Sequence, residues 1–211
     1  MSVVLYGSQS TASLVVHWLL IELGIDHTLH QLDFDKGEQK SIAYLTINPQ
    51  GRVPTLIMDG QVLTESAAIA MQLADLYPQA GLAPPPGTPA RGDYYRWMFF
   101  CAYTLMPAYR RWFYPHEPAG QAQVSAVQSS ARDELEAAWQ QVADHLAASG
   151  PYLLGDQRSA ADFVLTMLMR WSRNMPRPTD TWSALHAHAQ RMKALPSYTE
   201  VYRREGLTDW A

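Results

Sequence analysis

Residues 48–78, NPQGRVPTLIMDGQVLTESAAIAMQLADLYP, decide how the first part of the chain is organised. Two short apolar runs, TLIM and QVL, flank Asp59 and Gly60, and a glycine there allows the positive φ of a tight hairpin turn. Apolar residues then recur at helical spacing as far as Pro78. The stretch therefore predicts two paired strands and a helix whose N-cap is Thr64.

The residues before this stretch complete a compact α/β unit. Residues 3–6 read as a strand, a helix begins at Ser13 and ends at Gly24, and residues 27–33 read as a second strand before a short, weak helix. The predicted order is β-α-β-α-β-β-α within residues 1–78. We expect this segment to form the first domain.

The remainder predicts a linker and an all-α domain. Residues 79–89 are rich in proline, which indicates a stiff interdomain linker. Ser159 and Asp162 have the spacing of a capping box ahead of an apolar run. Within residues 90–211 the predicted helices cover residues 90–114 (bent or ended by Pro107), 121–149, 159–173, 181–195 and 197–204.

The composition limits the classes of function. The 211 residues are 47% hydrophobic, which suits one large domain or two small ones. The net charge of −4 gives no basic excess, so we expect neither nucleic acid nor a membrane as a partner. The single cysteine, Cys101, excludes an internal disulfide and a CxxC pair, and the chain begins without a signal-peptide pattern. We therefore expect a cytoplasmic protein.

Two motifs in the opening stretch have both a structural and a functional interpretation. Pro54 can simply open a strand, or a cis Val53–Pro54 bond can leave the backbone of Val53 open to an extended peptide-like ligand. Glu65 and Ser66 can compensate the helix dipole, or they can bind an amino-acid head group. In the second interpretation, Ser66 and the helix N-terminus hold a carboxylate while Glu65 pairs with an ammonium group.

The turn after the first strand is crowded with hydroxyls, from Ser8, Ser10, Thr11 and Ser13. Such residues are usually N-caps, but one of them could instead stabilise an anion such as a thiolate. Lowering a thiol pKa by about two units is worth roughly 2.7 kcal/mol, which a charge-assisted hydrogen bond and a helix end could supply.

Other residues raise fewer possibilities. The aromatic segment after residue 90 predicts a stripe that either packs in the core or lines an apolar pocket, and its members are Tyr103, Met106, Arg110 and Tyr114. The seven histidines show no metal-ligand spacing. There is also no Ser-His-Asp motif and no glycine-rich phosphate loop. We expect no metal site.

Three motifs together resemble the cytosolic glutathione S-transferase family: INPQGRVPTL, LTESAAIA and SAADF, in that order and at the family's spacings. LYGSQSTASLVVHW is similar to the bacterial branches, with a serine-type-like active-site turn. The resemblance covers essentially the whole chain. It implies a thioredoxin-like α/β first domain, a proline-rich linker and an all-α second domain with a hydrophobic substrate pocket.

The resemblance also implies a set of glutathione contacts. The residue before the cis-proline, here Val53 before Pro54, would pair with the cysteinyl backbone. Glu65 and Ser66 would bind the γ-glutamyl head. The candidates for the glycyl carboxylate are Gln39, Lys40 and Arg52, with Gln50 weaker.

The thiolate-stabilising hydroxyl implied by the resemblance is Ser10, followed in order by Ser13, Thr11, Ser8 and Tyr6. The cysteine of bacterial beta-type members falls on Ala12, so a mixed disulfide there is impossible. Gly51 and Ala67 stand where some members carry histidine and arginine, which removes polar contacts to glutathione.

The activity implied is that of a dimeric glutathione transferase with glutathione as co-substrate. The thiolate would attack an electrophilic, largely apolar small molecule, or reduce an organic hydroperoxide, held against the aromatic stripe. Two alternatives stay open: a glutathione-dependent disulfide reductase or peroxidase of the same fold, and a non-catalytic binding module.

Overall fold

The computed structural model describes residues 2–210, and these divide by their contacts into two compact units. The first unit extends to Ala83 and includes the segment from Lys193 onward, whereas the second covers Pro84–Met192. The sequence analysis placed residues 90–211 together in one helical domain. The C-terminal segment belongs to the first unit instead, because its helix packs on the first helix of the chain.

The first unit is built on a four-stranded mixed sheet in the order β2-β1-β3-β4. β1 pairs in parallel with β2, and β3 pairs antiparallel with both β1 and β4. The strands are β1 (Val3–Gly7), β2 (Thr28–Gln31), β3 (Thr55–Met58) and β4 (Gln61–Thr64). The helices are α1 (Ser13–Glu22), α2 (Ile42–Leu45), α3 (Ser66–Leu76) and, near the C-terminus, α10 (Pro196–Glu205).

The hairpin between β3 and β4 confirms the turn predicted from sequence. Asp59 and Gly60 both have positive φ, 47° and 85°, as a two-residue hairpin turn with matching twist requires. The core between the sheet and the helices contains Leu5, Leu56 and Leu19, all fully buried. α1 is buried along most of its length because it contacts β1, α3 and α10.

The second unit is helical, as the sequence predicted. Ser159 and Asp162 form the predicted capping box at the start of α8, with Ser159 N donating to Asp162 Oδ2 at 2.8 Å. Its helices are α4 (Pro89–Phe99), α5 (Met106–Phe113), α6 (His116–Ala119), α7 (Val124–Ser149), α8 (Ala160–Trp171) and α9 (Ser183–Lys193).

One local prediction was wrong, and another was incomplete. The N-cap of α3 is Glu65, with φ 66°, and Thr64 is instead the last residue of β4. Helical backbone covers residues 89–113 without a break, close to the predicted 90–114, but a π-helical turn at Phe100–Leu105 separates α4 from α5. Pro107 is the second residue of α5, directly after this π-helical turn.

Candidate functional site

The strand registers bring the predicted ligand-binding residues to one edge of the sheet. Tyr6 pairs with Thr55 across β1 and β3, and Thr55 pairs with Thr64 across β3 and β4. The pairing stops at Thr55, and Val53 lies two residues before it, just as Ser8 lies two residues after Tyr6 and Ser66 two residues after Thr64. Three segments therefore lie at this edge: the hydroxyl-rich turn after β1, the Val53–Pro54 segment before β3, and the start of α3.

Two helices begin at this same edge. α1 starts at Ser13 directly after the β1 turn, and α3 starts at Ser66 directly after β4. The N-terminus of a helix carries a partial positive charge, so both ends favour a bound anion, although Ser13 N and Leu14 N of α1 already donate to Thr11. The edge is suited to a ligand with more than one negative group.

Two of the predicted catalytic hydroxyls stabilise the turn itself. Ser13 Oγ accepts from Ser8 N and donates to Ser8 O, each at 3.1 Å, and Ser13 is only 1% exposed. Thr11 Oγ1 donates to Ser8 O at 2.7 Å and lies 2.9 Å from Ser13 Oγ. Because these hydroxyls are occupied in holding Ser8, they are poorly placed to donate to a ligand as well.

Ser10 lies at the tip of the same turn, with a φ of 62°. A positive φ in a non-glycine residue is strained by about 1–3 kcal/mol, and such residues concentrate at functional sites. Tyr6 lies in β1, where its ring stacks on His30 at 5.0 Å and contacts Tyr44 at 5.6 Å. Its ring is packed among neighbouring rings, whereas Ser10 belongs to the loop.

The Val53–Pro54 peptide bond is cis, one of the two possibilities that the sequence left open. Pro54 is buried and Val53 is half-buried immediately before β3. Within residues 2–210, the backbone N–H and C=O of Val53 make no hydrogen bond. Val53 therefore has one donor and one acceptor available for an extended ligand.

Glu65 and Ser66 differ in exposure at the start of α3. Glu65 is exposed and adopts a positive φ of 66°, whereas Ser66 is 4% exposed. The carboxylate of Glu65 is thus at the surface, and Ser66 is the first residue of the helix, at its positive end. A ligand with an ammonium and a carboxylate on one carbon suits this pair.

The remaining predicted contacts lie on two neighbouring segments: Gln50 and Arg52 on the loop before Val53, and Gln39 and Lys40 on the 3-10 turn before α2. Lys40 Nζ donates to Gln50 O at 3.1 Å, and Arg52 is exposed. Gln39 Oε1 is buried and has no hydrogen-bond partner in the described part of the chain. The structure brings these side chains to the loop, but no contact within the chain distinguishes which of them meets a carboxylate.

A buried network beneath the loop before Val53 has almost no signature in the sequence. Tyr44 Oη donates to Arg52 O at 2.6 Å, and Asn48 Nδ2 donates to the same oxygen at 2.9 Å. Thr55 Oγ1 lies 2.8 Å from Tyr44 Oη and accepts from Asn48 Nδ2 at 2.9 Å. Burial raises the pKa of Tyr44, so its hydroxyl stays a donor at neutral pH. The only signal in the sequence was the asparagine of INPQGRVP.

A second missed contact joins the active-site turn to the C-terminal helix. Gln9 Nε2 donates to the backbone oxygen of Glu205, the last residue of α10. The carboxylate of Glu205 bonds His17 Nδ1 of α1 at 2.8 Å, with both side chains buried. A pair 188 residues apart leaves no local pattern in the sequence.

The residues proposed for the substrate pocket belong to the second unit. Tyr103 is 74% exposed and stacks on Phe99 at 5.5 Å. Arg110 forms a bidentate ion pair with Glu117, and its guanidinium lies 4.0 Å from the ring centre of Tyr114. Met106 begins α5 and is half-buried. This part of the chain offers exposed aromatic surface, but Arg110 already has an anionic partner.

The described residues contain no group of three His, Cys, Asp or Glu side chains that could hold a metal ion. The thiol of Cys101 is fully buried, and burial raises its pKa far above the usual range. A thiolate at this site must therefore come from the ligand.

Both parts of the chain match models of one family. Residues 9–76 match the N-terminal domain of glutathione S-transferase, and residues 121–191 match its C-terminal domain. Glutathione S-transferase GST-4.5 of Xanthomonas campestris is 32% identical over 177 residues, which is 82% of this chain and 85% of that protein.

Solved structures of glutathione transferases are also similar to this chain. A glutathione transferase from Methylococcus capsulatus is 32% identical, with a TM-score of 0.86, over 98% of this chain and all of that one. A homologue from Sulfitobacter with bound glutathione is 28% identical, with a TM-score of 0.89, over 98% of this chain and 99% of that one.

A thioredoxin-like unit followed by a helical unit, with both parts matched, defines the glutathione transferase fold. The chain belongs to the glutathione S-transferase family. Members of this family use glutathione as a co-substrate and are typically dimeric.

Proposed function

We propose that the protein is a glutathione transferase that activates the glutathione thiol as a thiolate at the sheet edge formed by β1, β3 and β4. The observation that supports this most directly is the strand register, which aligns Tyr6, Thr55 and Thr64 and so brings together the segments just beyond them, where Ser8, Val53 and Ser66 lie beside two helix N-termini. The tripeptide has two carboxylates and one thiol, and each has a suitable partner type at this edge.

In this proposal glutathione binds as an extended strand. Its cysteinyl backbone pairs with the N–H and C=O of Val53, and its γ-glutamyl head lies on Glu65 and Ser66. Gln39, Lys40, Arg52 and Gln50 are the candidates for the glycyl carboxylate. The backbone and the ends of the tripeptide thus give specificity, and the chain supplies no nucleophile of its own.

Ser10 is the proposed donor to the thiolate. Its hydroxyl and the N-terminus of α1 would lower the thiol pKa from its ordinary value of about 8.5–9. The thiolate then forms a bond to an electrophilic carbon, and the leaving group departs with the electron pair of the bond that breaks. Orientation and thiolate stabilisation supply the rate.

For the second substrate we propose an apolar electrophile that contacts Tyr103, Met106, Arg110 and Tyr114. The exposed ring of Tyr103 supports this proposal, whereas the Arg110–Glu117 pair makes Arg110 more suitable for packing than for charge stabilisation. Reduction of organic hydroperoxides is a further possible use of the same thiolate. The curated relatives and solved structures do not favour the disulfide reductase or the binding module.

We also propose that the protein is a cytoplasmic homodimer. Dimerisation is typical of the fold family, and a sedimentation mass of a single chain at micromolar concentration would contradict it. No helix in residues 2–210 is long and apolar enough to cross a bilayer.

The decisive test is an ultraviolet difference titration of the protein with glutathione between pH 5 and 9. We expect thiolate absorbance well below pH 8 in the wild type, and its loss in Ser10→Ala at unchanged glutathione affinity. Ser8→Ala, two positions away in the same turn, is the matched comparison.

Thiolate that persists in Ser10→Ala would assign the role to Ser13, Thr11, Ser8 or Tyr6. Tight binding without a thiolate would favour a binding module over a transferase. The absence of binding would contradict the glutathione assignment.

A further inference from the structure

Two side chains of the buried network beneath the loop before Val53 donate hydrogen bonds to one atom, the carbonyl oxygen of Arg52. Tyr44 Oη and Asn48 Nδ2 both donate to it, at 2.6 and 2.9 Å, so both lone pairs of this oxygen are occupied. Tyr44 and Asn48 are each 3% exposed. Two buried donors on one acceptor fix its direction more firmly than one donor would.

The direction of this oxygen also determines the direction of a neighbouring donor. Arg52 C=O and Val53 N–H belong to the same trans peptide, and in a planar trans peptide these groups point in opposite directions. Fixing Arg52 O therefore fixes Val53 N–H. Within residues 2–210, that N–H has no partner.

In the rest of the network, every donor has an acceptor and every hydroxyl has a defined direction of donation. Asn48 Oδ1 accepts from Gln50 N at 3.1 Å, so all polar atoms of the Asn48 amide are used. Because Tyr44 donates its proton to Arg52 O, the 2.8 Å contact must carry a proton from Thr55 to Tyr44. Thr55 accepts in turn from Asn48. A network satisfied in this way is rigid.

We propose that Tyr44 and Asn48 are positioning residues for glutathione, which hold the Arg52–Val53 peptide so that Val53 N–H is aimed at the cysteinyl carbonyl of the tripeptide. Thr55 orients Tyr44 within this arrangement. The inference rests on the proposed function and adds residues that do not themselves contact glutathione. A donor that is already oriented binds without the entropy cost of being ordered.

The test compares two ligands in two proteins. One ligand is glutathione, and the other is an analogue in which a carbon–carbon double bond replaces the cysteinyl-glycine amide, so that the acceptor for Val53 N–H is absent. We expect Tyr44→Phe to raise the Kd of glutathione about fivefold, as for one buried hydrogen bond. The Kd of the analogue should change by less than about twofold, because it cannot use the positioned donor.

The matched control is Tyr109→Phe in the second unit. Tyr109 is fully buried, and its hydroxyl accepts from Trp139 Nε1 at 3.2 Å. This variant loses a buried tyrosine hydroxyl elsewhere, so its Tm should fall while its glutathione Kd stays at the wild-type value. If Tyr44→Phe does not fold, Thr55→Val is the second variant, with a smaller loss of glutathione affinity in the same direction.

The outcomes separate the inference from the proposed function. If wild type binds glutathione and Tyr44→Phe weakens both ligands equally, Tyr44 supports the fold in general and the positioning role is wrong. Unchanged glutathione affinity in Tyr44→Phe would also overturn it. If wild type binds no glutathione, the proposed function fails, and this inference fails with it.

Discussion

At the scale of single residues, the structure explains why a glycine occupies position 51, where some members of the family carry a histidine. Its φ is 59°, and a Cβ atom would lie 2.7 Å from Gln39 O and 2.8 Å from Lys40 Nζ. Both of those residues are candidates for the glycyl carboxylate. The absence of a side chain at position 51 lets the loop before Val53 pack directly on them.

Gly51→Ala is therefore expected to destabilise the protein and weaken glutathione binding together. Gly24→Ala is the matched control, since its φ of 65° is similar but its Cβ would meet no atom within 4 Å. Each variant loses about 1 kcal/mol from the positive φ, and Gly51→Ala loses at least about 1 kcal/mol more from the clash. Urea unfolding and glutathione titration measure the two effects, and equal losses in both variants would show that the close approach is unimportant.

At the scale of secondary structure, the C-terminal helix is attached to the first unit through buried contacts with α1. Glu205 bonds His17 Nδ1 at 2.8 Å with both side chains at most 2% exposed. Trp18 Nε1 of α1 also donates to Ser197 Oγ of α10, at 2.9 Å. Through Gln9, the end of α10 reaches the active-site turn as well.

We expect Glu205→Ala to reduce the free energy of unfolding by about 3 kcal/mol, because it leaves a buried ring nitrogen of His17 without its acceptor. Glu200→Ala is the control on the same helix. Glu200 bonds both Arg203 and Arg204, but at the solvent-exposed surface, where ion pairs contribute little. Chemical denaturation of both variants measures the free energy of unfolding. If Glu200→Ala reduced it as much as Glu205→Ala, burial of the His17–Glu205 pair would not explain the effect.

The elements that sequence predicted well are those with local causes. Alternating apolar runs around Asp59 and Gly60 were sufficient for the hairpin, and the Ser159–Asp162 spacing was sufficient for the cap of α8. The N-cap of α3 was not, because Glu65 adopts a positive φ that helix propensity does not favour. The π-helical turn at Phe100–Leu105 likewise has no signal in the apolar spacing.

At the scale of the whole molecule, the division between the units follows contacts that join distant parts of the chain. The motifs INPQGRVP and LTESAAIA were sufficient to propose which residues contact a ligand, because a proline turn and a helix start are each encoded within a few neighbouring residues. The same motifs could not show that Tyr44 and Asn48 converge on Arg52 O, or that α10 packs on α1. Those arrangements depend on which buried polar groups find partners after the chain has folded.

The pH dependence of global stability is expected to come from buried histidine. His188 of α9 is fully buried, its Nδ1 lies 3.3 Å from Pro151 O, and burial lowers its pKa below 6.5 despite the nearby Asp162. Since the unfolded state binds the proton more tightly, the contribution of His188 is fully present above pH 6.5 and is lost as the pH falls below it. His27, whose pKa is also lowered mainly by burial, acts in the same direction.

We therefore expect the free energy of unfolding to fall between pH 7.5 and 5.5, and to fall less steeply in His188→Gln. That variant removes the proton-binding group, so part of the difference between folded and unfolded protonation disappears. His186→Gln is the control, because His186 lies two residues away on the same helix but is exposed. Urea unfolding at several pH values gives the slope. A slope unchanged in His188→Gln would contradict this expectation, because it would mean that Asp162, 3.9 Å from His188 Nδ1, fully compensates a charged His188 in the folded protein.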